Sequence, residues 1–143
     1  VLFESLAINL HIAGKAGAPL MPAGDDASRA LQWTLWTATE IEAPVMRWGY
    51  NTYLKPAAER DPAEAAAGKE ALDARLAVLD GVLGKTAFLL GETFTIADLN
   101  PACVLYAPWL NGYDLAPFPK VKAWLDACLT RPAALRARHL REG

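Results

Sequence analysis

Several chemistries lack their raw material in this sequence. It holds two cysteines and two histidines. Cys103 and Cys128 stand far apart with no CxxC spacing, and neither His11 nor His139 has a carboxylate or cysteine at ligand spacing, so no metal site is expected. Ser5 and Ser28 are the only serines, and neither sits in a GxSxG turn. The glycine-rich stretch 14–24 does not carry GxGxxG, which excludes a phosphate-cradling loop. Residues that favour strands are scarce, with 6 Val, 4 Ile and 8 Thr against 28 Ala and 21 Leu, so a β-rich or α/β chain is disfavoured. An excess of charge of either sign is missing too. Fourteen Lys and Arg against sixteen Asp and Glu leave no general footprint for nucleic acid or an anionic membrane. The longest uncharged run, Leu99 to Tyr113, contains Asn100, Pro101, Pro108 and Asn111 and is shorter than the ~20 residues of a membrane span.

What is present is apolar and helix-forming. At 143 residues and 53% hydrophobic composition the chain supports one domain with a real core and is not disordered. Isolated cysteines point to a reducing, cytoplasmic setting with two buried thiols. The start, Val-Leu-Phe-Glu-Ser, is no signal peptide. It reads as the tail of a strand entering a helix, and the chain is expected to begin inside something larger.

Helices and their punctuation follow in order. Ser5 to about Ala13 predicts a short buried helix, and residues 14–25 an irregular surface connector. Asp25 or Asp26 can cap a long helix with the stripe Leu31, Leu35, Ala38, Ile41, Val45 and Trp48, kinked at Pro44. Asp61-Pro62-Ala63-Glu64 starts another, with Leu72, Leu76, Leu79 and Leu83 inward and Gly84 as its stop. Phe94-Thr95-Ile96-Ala97-Asp98-Leu99 is the most specific run. Thr95 and Asp98 fit a capping box, Phe94 and Leu99 a hydrophobic staple, and the helix should end before Pro108. Pro119 to Leu129, with Val121, Trp124, Leu125 and Cys128 inward, and Pro132 to His139 complete an all-α bundle. Arg131, Arg136, Arg138, His139 and Arg141 read first as cations complementing the dipole of a last helix, with anion binding as the other possibility.

The run Phe88 to Asp98 (FLLGETFTIAD), then Phe118 to Trp124 (FPKVKAW), then Thr130-Arg131-Pro132-Ala133 resembles the C-terminal helical domain of cytosolic glutathione transferases, in order and spacing. Phe3 to Ile8 is similar to the strand-to-helix junction of that family's thioredoxin-like domain. The resemblance implies a remnant of the glutathione-binding domain over residues 1–15, a linker over 16–25 and the helical domain over 26–143. It implies a bacterial-type parent enzyme that joins the glutathione thiolate to a small hydrophobic electrophile, with glutathione as co-substrate, as a cytoplasmic homodimer with no nucleic-acid or membrane partner. The same fold also serves as a non-catalytic binding or assembly module, and in isomerases, dehalogenases and reductases that use glutathione.

Site residues carry over by position. Glu4 and Ser5 match the acid–serine pair that binds the γ-glutamyl end of glutathione, and a serine at a helix N-terminus suits a carboxylate. The alternative reading is that Ser5 does no more than cap its own helix. The family's catalytic Tyr, Ser or Cys has no matching position here, so no catalytic residue is assigned and this chain alone is expected to be inactive. The electrophile wall is expected from the long kinked helix and the helix after the capping box, with Trp36, Glu40, Arg47, Tyr106 and Trp109 as candidates. Each of these side chains fits a core or interface role as well.

Overall fold

A computed structural model describes residues 1–142. Seven α-helices follow one another: α1 (Ser5–Ala16), α2 (Asp25–Trp36), α3 (Glu42–Gly49), α4 (Pro62–Leu83), α5 (Ile96–Leu110), α6 (Pro119–Leu129) and α7 (Pro132–Glu142). No strand occurs among the described residues, so the expected strand end at residues 1–3 is irregular chain. Among those residues no helix is long and apolar enough to cross a membrane.

α2 and α3 form one continuous rod, because a π turn at Thr37–Ile41 joins them and a second, Tyr50–Leu54, extends it. Pro44 has no N–H for the carbonyl of Glu40, and the ladder widens over the π turn that holds Glu40 instead of breaking. The expected stripe holds from Ile41 through Val45 and Trp48 but not before it: there the inward residues are Ala30, Thr34 and Thr37, each one position before Leu31, Leu35 and Ala38, which are exposed, so the buried line keeps steps of three and four throughout. The α2 cap also differs. Gly24 is the N-cap, and Asp25 and Asp26 lie in the first turn without capping it.

α3 and α4 cross closely at Gly68, where a Cβ would lie 2.6 Å from the backbone nitrogen of Trp48. No residue but glycine fits there without parting the helices. α4 begins as expected, with Asp61 accepting from the N–H groups of Ala63 and Glu64, and buries Leu72, Leu76, Leu79 and Leu83. Asp80 on its outer side accepts from the N–H groups of Lys120 and Val121, capping α6 from a neighbouring helix.

α5 is the axis of the bundle, in contact with α1, α2, α3 and α6. Its capping box is closed: Thr95 Oγ1 accepts from Ala97 N–H at 3.2 Å, and the Thr95 N–H donates to Asp98 Oδ2 at 2.9 Å. Asp98 also accepts from Leu89 N–H at 2.8 Å and from Trp124 Nε1 at 3.0 Å, joining the preceding turn and α6 to this helix start. The helix continues past Pro108 to Leu110, further than expected. Asn111 closes it, both backbone N–H and Nδ2 donating to the Ala107 carbonyl, before Gly112 turns the chain at φ 75°.

α1 is not the buried helix its composition suggests. It buries only Leu6 and Ala13, whereas Ile12 is 56% exposed. Cys103 is a second correction: it is exposed on α5, while Cys128 is buried as expected.

Candidate functional site

The start of α1 is held in an unusual way. Glu4, its N-cap, has φ 69° and ψ 113°, and among the described residues it is the single non-glycine residue at positive φ. An L-residue in that region carries backbone strain, typically ~1–3 kcal/mol. Glu4 and Ser5 are both exposed, and no side chain caps the first turn. Ser5 therefore does not cap its own helix. The first-turn N–H groups, on the positive end of the helix dipole, are left without a side-chain acceptor.

Below that corner lies a buried polar network that sequence reasoning missed. Asn100, fully buried in α5, donates through Nδ2 to the Leu6 carbonyl at 3.4 Å and to Thr34 Oγ1 at 3.0 Å. Its Oδ1 accepts from Asn9 Nδ2 at 2.9 Å, and the Thr34 hydroxyl donates in turn to the Ala30 carbonyl. Three helices meet at one amide with its hydrogen-bonding capacity used on both sides. The available signal was an asparagine inside the most apolar stretch of the chain.

The five electrophile-wall candidates separate. Glu40 pairs with Arg75 of α4 at 3.0 Å, and Arg47 makes a bidentate pair with Glu64 at 2.7 and 2.8 Å, so both tie the α2–α3 rod to α4. Trp36 packs edge-on against Trp33, centroids 5.3 Å apart. Trp109 stacks on Tyr106 at 6.1 Å and donates Nε1 to Asp126 Oδ1 at 2.9 Å. Burial works against ionisation of Asp126, yet the bonds from Lys122 and Trp109 prevail and hold its pKa below the ordinary value. Of the five, Tyr106 alone lines a cavity of about 560 Å³ between α3 and α5, with Val45, Met46, Leu54, Leu110 and Arg141. That volume lies within the ~300–1,000 Å³ of small-molecule pockets. Met46, Leu54 and Leu110 are exposed apolar residues on helix faces, a pattern the stripe argument assigned to no role.

On the other side of Tyr106 a smaller cavity of about 220 Å³ runs under α7, lined by Cys103, Leu129, Ala134, Ala137, Arg138 and Arg141. The arginines of the tail extend over rings: Arg131 lies 4.0 Å from the Phe94 centroid, Arg138 5.2 Å from Trp109 and Arg141 5.6 Å from Tyr106. Burial pushes the thiol of Cys128 up, and desolvation by the apolar residues around the small cavity does the same for Cys103 although its edge is exposed, so neither is poised as a nucleophile. Among the described residues no group of three or more His, Cys, Asp or Glu could hold a metal ion.

Fold and geometry together define an all-α domain with an uncapped helix docked on its central helix and an apolar cleft further along that helix. The model of the glutathione S-transferase C-terminal domain matches residues 41–132, and the chain belongs to that family. Disulfide-bond oxidoreductase YfcG of Escherichia coli (strain K12) is 34% identical over 142 residues, which are 95% of this chain and 62% of that protein. Elongation factor 1-gamma of Sus scrofa is 28% identical over 141 residues, 92% of this chain and 30% of that protein. Among solved structures, the theta class glutathione S-transferase of Xanthomonas axonopodis pv. citri with glutathione bound superposes with a TM-score of 0.86 at 27% identity, over 94% of this chain and 72% of that one. The chain thus spans less than two thirds of the length of the curated relatives named here.

Proposed function

We propose that this chain is the electrophile-binding part, with one corner of the glutathione site, of a glutathione transferase. The carrying observation is that α5 bears both openings: α1 is tied to it at Asn100, and the apolar cleft opens on it at Tyr106. In this reading residues 1–15 belong to a thioredoxin-like domain, 16–25 are the linker and 26–143 the helical domain. Glu4 pairs with the ammonium of the γ-glutamyl group, and Ser5 donates its hydroxyl and N–H to the adjacent carboxylate. The thiolate, activated by a residue outside this chain, attacks the electrophilic carbon in the cleft. A C–S bond forms and the leaving group departs with its electron pair. Of the wall candidates Tyr106 is retained; Glu40 and Arg47 are taken up by ion pairs to α4, Trp36 by its contact with Trp33, and Trp109 by Tyr106 and Asp126. The parent protein is read as a bacterial, cytoplasmic homodimer, and the exposed Leu31 and Leu35 of α2 supply an apolar face for a second copy.

The test uses the longer protein that carries this chain, with glutathione and 1-chloro-2,4-dinitrobenzene. Tyr106→Ala should raise the KM of the electrophile several-fold more than that of glutathione; equal effects on both would reduce Tyr106 to a packing residue. The identity with the disulfide-bond oxidoreductase favours a second reading, glutathione-dependent thiol–disulfide exchange. Turnover of 2-hydroxyethyl disulfide without conjugation of the chloroarene would establish it. Neither turnover would leave a non-catalytic module.

A further inference from the structure

We propose that Asn100 is a positioning residue that fixes the glutathione corner relative to the electrophile cleft, with α5 acting as the spacer between them; this rests on the glutathione reading of Glu4 and Ser5. The corner has little else to hold it. α1 buries two side chains, Leu6 and Ala13, packs a half-buried Leu10 against the core and exposes Ile12, and no cap secures its first turn. Asn100, by contrast, is fully buried, and its amide meets the carbonyl of Leu6, the residue after Ser5, together with Asn9 one turn further along. The third arm, to Thr34, braces the amide against α2, so its plane cannot rotate without giving up a bond to one helix or another. A buried amide with both ends satisfied is stiff, since each bond it loses leaves an unpaired polar group in the core.

The other end of the spacer is Tyr106, six residues along the same helix and therefore about 9 Å away along its axis. An α-helix does not stretch, so the separation of a γ-glutamyl group anchored at the α1 corner from an electrophile resting on Tyr106 is set by this one element. Misplacement of reacting groups by an ångström lowers a two-substrate rate by as much as ~10²-fold. The polar node thus supports the alignment of the two substrates while touching neither.

The experiment has two arms. In the longer protein carrying this chain, Asn100→Ala should raise the KM of glutathione about tenfold and lower kcat, with the KM of the electrophile within about twofold of the original. Asn9→Ala, which removes one arm and keeps the amide, should shift glutathione in the same direction by less, and serves if Asn100→Ala fails to fold. In the present chain, hydrogen exchange should show the amides of α1 losing protection in Asn100→Ala or Asn9→Ala while those of α4 and α6 keep theirs. Equal increases in both KM values, or unchanged protection of α1, would overturn the proposal. Loss of α1 protection in a parent protein that turns over no glutathione would uphold the tether and overturn the glutathione reading instead.

Discussion

Two helix starts in this molecule are built in opposite ways. At the start of α5, Thr95 has an extended backbone, and the Asp98 carboxylate, wholly buried, collects donors from Leu89, Thr95 and Trp124. At the start of α1, Glu4 is held at positive φ, both Glu4 and Ser5 are exposed, and no side chain accepts from the first turn. The first start consumes its own hydrogen-bonding capacity in joining three segments. The second leaves it outward, at a cost in strain, and relies on a partner one turn inside. A helix terminus that completes itself is part of the frame; one that stays open and strained is available for a ligand.

The contrast can be broken most forcefully at Asp98. Asp98→Ala should strand the N–H groups of Leu89 and Thr95 and the indole of Trp124 in the core, and we expect about 3–5 kcal/mol of destabilisation, well above an ordinary cap. Urea unfolding checks it; a loss under about 1 kcal/mol would mean that water replaces the carboxylate. Thr95→Ala removes one cap acceptor and keeps the carboxylate, so about 1 kcal/mol is expected from the same measurement. Ser5→Ala should change stability by less than about 0.5 kcal/mol, because its hydroxyl caps nothing in the fold. A cost near that of Thr95→Ala would erase the distinction between the two starts.

Much of the frame was legible in the sequence because its signals are local. The Asp61-Pro62 start, the Thr95/Asp98 box, the Leu72 to Leu83 line and the inward face of α6 depend on residues a few positions apart. The site was less legible for the same reason. Tyr106 lines the cleft, whereas Glu40 and Arg47 are committed to Arg75 and Glu64 on α4, pairings that only the packed rod–α4 arrangement creates. Asn100 looked like a polar interruption of an apolar run, since its partners Leu6, Asn9 and Thr34 lie far away in sequence. Pro108 reads locally as a stop, yet α5 passes it by two residues to Leu110, its end fixed by Asn111. The exposure of Cys103, beside the cavity between α5 and α7, likewise depends on packing that no spacing encodes.

The π turn at Thr37–Ile41 has one more consequence. The turn takes up one residue more than an ordinary α turn holds, and the residues on either side keep a common buried line. Ala30, Thr34, Thr37, Ile41, Val45 and Trp48 follow one another at steps of three and four, with Leu31 and Leu35 outward. Deleting one residue there would close the wide turn to an ordinary one and leave both halves facing as they do, with Thr34 still against Asn100. The rod thus holds a spare residue at its middle, a place where chain length can change without repacking either end.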